Sequence, residues 1–257
     1  MKPAALAVVG LGISVPAHVT VAAQACIEQA DEVLYLIPDP VAAQWIESVN
    51  ERSRSLSGHY HAGQGRRETY DAIVSDVLTR LHAGGDVCFA LYGHPGVFAT
   101  PSHEAVSRAR AAGFEARMLP GISAEDCLFA DLGLDPGKTG CQSYDATDLL
   151  IHSRVIDPSA ALVLWQPSIV GNFDYVPDGD LSRLPALAEY LARYYPPEHE
   201  IVCYVASPYP IFDPIVQTIP LAGLADAELP RLALLYLAPA LRRERDESVI
   251  ESAAART

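Results

Sequence analysis

The chain has 257 residues, half of them hydrophobic and 19% charged, enough for one large domain or two of ordinary size, each with a substantial core. Its 32 acidic against 18 basic residues give a formal charge of -14, which opposes a phosphate-tracking nucleic-acid surface or an anionic membrane patch. No run approaches the ~20 apolar residues that span a bilayer, and residues 1–9 are too short and too weakly cationic for a signal peptide, so a cytoplasmic protein is expected.

Residues 4–9 are a continuous apolar run followed by Gly10-Leu11-Gly12-Ile13-Ser14, a strand running into a glycine turn. A dinucleotide-binding fingerprint needs its third glycine at position 15, where Val15 stands with Pro16 after it, so that reading fails. A helical segment over 21–31 leads to a short strand over 33–37, closed by Pro38-Asp39-Pro40. Strand, helix, strand in this order predicts a βαβ unit with a parallel sheet. Residues 41–49 read as a helix, and 51–65, rich in Ser, Gly, His and Arg, as a long loop in which His59 and His61 are solvated. The loop delivers Tyr60, Arg66 and Tyr70 to a helix whose apolar stripe is Ile73, Val74, Val77 and Leu81. Arg66 and Tyr70, four apart, share a face of that helix.

The next apolar run, 87–92, ends in Gly93-His94-Pro95-Gly96-Val97-Phe98. Ligands of open α/β sheets collect beyond the carboxyl ends of strands, and a Gly/Pro turn lets backbone approach them without a Cβ in the way. A plain turn into a helix over 102–112 accounts for the same residues. A strand over 114–119 then runs into Pro120-Gly121-Ile122-Ser123, with Ser123 placed to cap a helix over 124–131 whose first N–H groups would face a ligand. Gly133 and Asp135-Pro136-Gly137 mark a break, and a boundary near residue 140 divides the chain into α/β domains over 1–139 and 140–257. In the second, strands are expected over 161–165, 201–205 and 232–237, running out at Gln166, Ser207 and Ala238. Between and after them come a polar loop over 171–181, an amphipathic helix over 184–195 and a solvated helix over 241–257. Cys26, Cys88, Cys127, Cys141 and Cys203, odd in number and widely spaced, read as buried free thiols. No Cys-x-x-Cys or His-Glu-x-x-His spacing is present, so no metal is expected.

Together, Gly93-His94-Pro95-Gly96-Val97-Phe98, the block Met118-Leu119-Pro120-Gly121-Ile122-Ser123-Ala124-Glu125-Asp126-Cys127-Leu128-Phe129-Ala130-Asp131 and Leu164-Trp165-Gln166 resemble the tetrapyrrole-methylase superfamily of S-adenosylmethionine (SAM) methyltransferases. More narrowly, they are similar to the borosin peptide backbone N-methyltransferases. The wider family usually has Asp where this chain has His94, and a Gly-Pro-Gly-Asp-like turn where it has Gly12-Ile13-Ser14; both departures favour the peptide-modifying branch. The resemblance implies a two-domain α/β fold of the tetrapyrrole-methylase type, with SAM in the interdomain cleft. Carried over residue by residue, it implies that Tyr92, His94, Val97, Phe98, Ser123, Ala124 and Gln166 line the SAM site, with Ser207 and Ala238 as further candidates. It implies a catalytic set of Tyr60, Arg66, Tyr70 and Tyr92, since an Arg six residues after Tyr60 and a Tyr four beyond that reproduce the family's spacing; Arg67 takes the place of Arg66 if the register slips by one. It also implies a homodimer. Fused borosin members carry their target peptide as a C-terminal extension, and the charged tail here has no apolar target-like run, so a separate precursor peptide methylated in trans, on several residues, is the expectation.

A backbone amide nitrogen shares its lone pair with the carbonyl and is a very poor nucleophile. Methylating it requires removal of the N–H proton, or stabilisation of the imidate oxygen that forms as the proton leaves, in a site that excludes water. Tyr70 is the candidate base: its ordinary pKa is ~10, and a guanidinium one helical turn away at Arg66 would favour the phenolate. Arg66 could alternatively hold the developing imidate oxygen, with Tyr60 and Tyr92 orienting the carbonyl or shuttling the proton. Two other classes stay open. A small-molecule tetrapyrrole methyltransferase would share the SAM loops without needing the Tyr60, Arg66, Tyr70 spacing, and a catalytically silent module would bind SAM or peptide without turnover.

Overall fold

The computed structural model describes residues 4–244; the helix expected over 241–257 lies, from residue 245 on, outside the described residues. Five strands, β1 (Ala5–Gly10), β2 (Glu32–Leu36), β3 (Ser53–Ser55), β4 (Val87–Leu91) and β5 (Glu115–Met118), form one parallel sheet of order β3-β2-β4-β1-β5. The expected parallel direction holds, with one difference from a simple βαβ unit: β4 lies between β1 and β2 and pairs with both. β4 is buried along its whole length, which is why it reads as a continuous apolar run instead of an alternating one. Residues 51–65 are more than a loop, because they carry β3 and a 3-10 turn at Ser57–His59.

Helices α1 (Val21–Gln29) and α2 (Pro40–Val49) cover one face of this sheet. Asp39 caps α2, its Oδ1 accepting from the Ala42 N–H at 2.7 Å, and Pro40 occupies the first helical position, where its missing N–H costs nothing. Ala23, Ile27, Ala42 and Ile46 pack on Val9, Val33, Tyr35 and Ala90. On the opposite face α3 (Arg66–His82) and α4 (Thr100–Ala111) set Ile73, Val77, Ala105 and Ala109 against Leu6, Val8, Leu34 and Phe89. Successive strand residues such as Val8 and Val9 thus go to opposite cores, as the pleat requires.

The second sheet has the order β6-β7-β10-β8-β9, from β6 (Cys141–Asp145), β7 (Ala161–Trp165), β8 (Glu200–Val205), β9 (Ile215–Pro220) and β10 (Leu234–Leu237). Only β6 and β7 are parallel neighbours; the other pairs are antiparallel. Leu149 of α6 (Ala146–Ile151) and Leu184, Leu187 and Leu191 of α7 (Leu184–Leu191) pack on Leu162, Leu164, Leu235 and Leu237. α7 stops four residues short of the expected 195, while Tyr195 still reaches the same core. The other face is covered by α5 (Ala124–Leu132), whose Leu128 clusters with Val163, Tyr204 and Leu234 and with Ile13 from the turn after β1. The Tyr204 hydroxyl adds a 2.5 Å hydrogen bond to Asp131 Oδ2. α5 therefore starts at the first sheet and lies on the second, joining the two into one body. All five cysteines are free, but only Cys88 and Cys203 are buried; Cys26 and Cys127 on outer helices and Cys141 on an edge strand are half-exposed, correcting the expectation of buried thiols. Among the described residues no helix is long and apolar enough to cross a membrane.

Candidate active site

Three turns meet at the carboxyl ends of β1, β4 and β5. The Gly12 N–H donates to Gly93 O at 3.2 Å and the Gly93 N–H to Gly12 O at 3.0 Å. A Cβ on Gly121 would fall 2.9 Å from Gly93 O and 3.2 Å from Gly10 Cα, so the third turn also needs glycine. The glycines after β1, which fail as a dinucleotide fingerprint, serve this close approach of backbones. Ser123 ends the third turn in a capping box: its Oγ accepts from the Asp126 N–H at 3.2 Å, and Asp126 Oδ2 accepts from the Ser123 N–H at 2.7 Å.

A cavity of about 200 Å³ opens where these turns face the second sheet, and Tyr92, His94, Val97, Phe98, Ser123, Ala124 and Gln166 all line it. Ser207 lies in a different cavity, with His18 and Asp131. Ala238 is exposed and sits at the wrong end of its strand. β10 runs antiparallel to β7, so Leu234 pairs with Trp165 beside the cavity while Leu237 pairs with Leu162 at the far side. The cavity accordingly takes Arg231, Leu232 and Ala233 from the turn before β10 and Leu234 from its first position, residues not anticipated from the sequence. Their signal was strand direction, which was lost with β9: its residues are almost all exposed, and it joins β8 by a connection too short for a parallel crossover.

Phe98 and Gln166 have left-handed backbone, with φ of 47° and 56°; Ser153 is the one other non-glycine residue with positive φ among the described residues. Such strain concentrates where side chains must be aimed for function. The Phe98 ring meets Trp165 at 4.7 Å, and the Trp165 indole N–H donates to Ser143 Oγ at 2.8 Å. His94 shapes its own turn: the ring Nδ1 accepts from the Gly96 N–H at 2.9 Å, which leaves Nε2 to carry the proton of the neutral ring.

A second, more open groove of about 490 Å³ runs past Arg66, Tyr70, Asp145 and Phe173 and shares Phe98 and Gln166 with the cavity. Residues 63–66 are tied to the loop after β7: Gly63 N–H donates to Tyr175 O at 3.0 Å, Tyr175 N–H to Gln64 O at 2.8 Å and Arg66 N–H to Phe173 O at 2.9 Å. The Arg66 guanidinium donates to Gln166 Oε1 at 3.1 Å and to Asn172 O, and its charge acts on the Tyr70 phenol in the same groove. Arg67 lines the groove, but these contacts belong to Arg66. Tyr60 packs on Tyr175 at 4.8 Å, and the Arg231 guanidinium sits over the other ring of that pair at 5.5 Å. Arg66 and Tyr70 are thus brought together in the groove, Tyr60 sits against Tyr175 without lining the groove, and Tyr92 lies across the shared wall in the cavity.

Burial raises the phenol pKa of all three tyrosines. Tyr92 is pushed up to about 12, with Cys127 and Asp39 adding to burial. Tyr60 is raised further, by burial first and then by Tyr70 and Tyr175. For Tyr70, burial outweighs the opposing pull of Arg66, and Asp145 pushes in the same direction as burial. The expectation that Arg66 tips Tyr70 toward phenolate is therefore corrected: the cation is in place, but desolvation of the anion wins. Among the described residues no group of three or more His, Cys, Asp or Glu side chains is placed to hold a metal.

Two joined α/β lobes, with a cavity at the carboxyl ends of the first parallel sheet and Arg66 and Tyr70 in the adjoining groove, define a bilobal α/β protein class. The chain belongs to the tetrapyrrole (corrin/porphyrin) methylase family, whose model matches residues 5–207. Among its relatives is the methyltransferase/ribosomally synthesized cyclic peptide dendrothelin A precursor of Dendrothele bispora, 37% identical over 254 residues, which cover 97% of this chain and 61% of the relative. The corresponding omphalotin A precursor of Omphalotus olearius is 36% identical over 254 residues, again 97% and 61%. A type I borosin cyclic peptide precursor of Coprinopsis marcescibilis is 38% identical over 245 residues, 93% of this chain and 63% of that one. The chain thus spans about three fifths of the length of these relatives. The fold is that of uroporphyrin-III C-methyltransferase from Thermus thermophilus (TM-score 0.68, 20% identity, 93% of each chain) and of a cobalt precorrin-4 methyltransferase (TM-score 0.65, 17% identity, 91% of this chain and 94% of that one). Another Thermus thermophilus structure of the same fold (TM-score 0.63, 19% identity, 91% of each chain) is a complex with S-adenosyl homocysteine.

Proposed function

We propose that this chain is a SAM-dependent methyltransferase that N-methylates backbone amides of a peptide, in several successive steps. The observation that carries this is the shared wall: Arg66 of the Tyr60, Arg66, Tyr70 cluster donates to Gln166, and Gln166 and Phe98 belong at once to the cavity and to the open groove. A methyl donor in the cavity and a peptide in the groove would meet there.

The lining of the cavity supports SAM as its ligand. Gly93, with a φ of 71°, brings its turn to the cavity wall with no side chain of its own in the way. Tyr92, His94 and Gln166 offer polar groups, Ser123 and Ala124 bring the N-terminus of α5, and Ile13, Val97 and Leu232 give apolar wall. When bound, SAM supplies an electrophilic methyl group on a sulfonium. Tyr92, held as a phenol, serves there as a hydrogen-bond donor and not as a base. Arg66, fixed by Gln166 and Asn172, presents permanent positive charge where an amide oxygen would gain negative charge. The Tyr70 oxygen receives the amide proton. Tyr60, locked against Tyr175, bounds the cluster behind it. The groove is flanked by Phe98, Ile151 and Phe173, which are 41%, 56% and 62% exposed, and this openness favours a peptide that enters as a separate chain. The exposed Ile211, Phe212, Ile215 and Val216 at the β9 edge favour a homodimer, which sedimentation equilibrium would report as twice the chain mass.

The deciding experiment incubates the protein with SAM and a separate precursor-type peptide, then reads the peptide by intact and fragment mass spectrometry. Successive methyl increments on backbone nitrogens are expected. Unmodified peptide despite calorimetrically demonstrated SAM binding would sink the assignment, and methylation of a porphyrinoid in its place would move the protein to the small-molecule branch.

A further inference from the structure

A buried phenol that is to take an amide proton must first release its own. Tyr70 shares its groove with Arg66 of its own helix and with Asp145 at the end of β6, and its charge environment is completed by Tyr60 from the preceding turn and Arg231 from the turn before β10. Guanidinium groups have no acceptor, and Tyr60 is itself a phenol held protonated by burial. Asp145 is the carboxylate of the set.

Two other carboxylates line the groove, and both are already committed. Glu104 is bound to Arg108 at 2.5 Å, and Asp148 to Arg154 at 2.9 Å and His152 at 2.8 Å. Asp145 has no cation partner among the described residues. Its Oδ1 caps α6, accepting from the Thr147 N–H at 2.8 Å and the Asp148 N–H at 3.0 Å, which fixes the carboxylate plane and leaves Oδ2 uncommitted by the cap. In the parallel pair β6–β7 it stands opposite Trp165, one residue before the Gln166 that holds Arg66. The residue is therefore rigid, ionisable and part of the same groove wall as Tyr70.

We propose that Asp145 is the terminal proton acceptor of this site, taking the Tyr70 phenolic proton as the Tyr70 oxygen takes the proton of the peptide amide. This rests on the function proposed above. The amide N–H bond breaks and a Tyr70 O–H bond forms; the former Tyr70 O–H bond breaks and an Asp145 Oδ2–H bond forms. The nitrogen keeps the N–H electron pair and uses it for the new N–CH3 bond, while the pair of the broken S–CH3 bond stays on sulfur. The carboxylate's negative charge and the sulfonium's positive charge are both consumed, so a free phenolate never has to exist in a site that disfavours it.

Asp145→Asn separates the roles, because Asn caps a helix as well as Asp does but carries no charge. In protein without SAM, the Tyr70 ring Cζ is followed by ¹³C NMR titration, its signal assigned with Tyr70→Phe. Loss of the Asp145 charge should lower the Tyr70 pKa; an unchanged titration would show that the two groups do not communicate and would overturn the proposal. In single-turnover methylation the same variant should lose about 10²-fold in rate, within the range general-base groups contribute, with S-adenosylhomocysteine affinity unchanged by calorimetry. A variant that turns over as fast as the parent or faster, with Tyr70 easier to ionise, would make Asp145 a mere restraint on the phenol and overturn the proton-acceptor role. Failure of the parent protein to methylate any peptide would instead remove the function proposed above, and the acceptor role with it, while the NMR titration would still report whether the Asp145 charge acts on Tyr70.

Discussion

At the scale of single residues the proposed chemistry turns on Tyr70, a phenol in an unfavourable place. Tyr70 does not line the cavity proposed to hold SAM, so Tyr70→Phe should lower methylation by about 10²- to 10⁴-fold and leave S-adenosylhomocysteine affinity within a few-fold, the first by peptide mass spectrometry and the second by calorimetry. Burial raises its pKa above the ordinary ~10, so it is a phenol throughout the neutral range. A mechanism that needs free phenolate would then speed up about tenfold per pH unit as pH rises toward that value. Relay to Asp145 uses the phenol as it stands and predicts a turnover flat between about pH 7 and 9. The parts of this site legible in the sequence were those carried by contiguous motifs: Tyr92 to Phe98, Ser123 and Ala124, and Gln166. Asp145 and Arg231 were not legible, because each is an ordinary charged residue beside a strand end, and only the pairing of β6 with β7 and of β10 with β7 brings them to the groove and the cavity.

At the scale of elements, β3, the 3-10 turn and α3 behave as one unit because a single carboxylate ties them. Asp76 on α3 accepts from the two terminal guanidinium nitrogens of Arg54 on β3, Nη1 and Nη2, at 3.0 and 2.8 Å, and meets His59 Nε2 at 3.0 Å in the turn that delivers Tyr60. Burial alone would raise the Asp76 carboxyl, but the bonds to Arg54 and His59 hold it below the ordinary carboxylate range. A depressed folded-state pKa contributes stability that is present above ~4 and is lost as pH falls through the folded value. Asp76→Asn should therefore lower stability at pH 7 by about 1 kcal/mol, given the partial exposure of Arg54, measured as a drop in urea midpoint. Wild type and variant should converge below about pH 3; a gap that persisted there would mean that the loss came from packing and not from charge. β3 itself was invisible as a strand because its three residues, Ser53, Arg54 and Ser55, are polar and form a sheet edge. α3 and β4 were clear by contrast, since a helical stripe and a fully buried run are long, unambiguous patterns.

At the scale of the molecule, the two sheets are connected by α5, by the 63–66 and 173–175 pairing and, on the function proposed, by the ligand itself. The two-lobed fold was legible through family motifs, whereas the sharing of α5 was not: a boundary near residue 140 follows the Gly/Pro break, but Leu128 and Tyr204 show the helix before that break packed on the second sheet. The cavity is lined from both lobes, by Tyr92 and Ser123 from one and Gln166 and Leu234 from the other, so a ligand there would bridge them. Ligand at about 100 times its Kd adds about 2.7 kcal/mol to folding stability. For a chain of this size that corresponds to a melting temperature roughly 5–10 °C higher, readable by differential scanning calorimetry with S-adenosylhomocysteine. The distribution of the effect is more telling than its size. If the cavity binds as a seam, amide hydrogen exchange should slow together in 92–98 and 123–126 and in 164–166 and 231–234, at one ligand concentration midpoint. Protection confined to the first two segments would place the ligand on the first lobe alone. The second sheet would then owe its alignment over the groove to α5 and the 63–66 pairing, and loss of the Gln64–Tyr175 pairing would cost methylation far more than it costs ligand affinity.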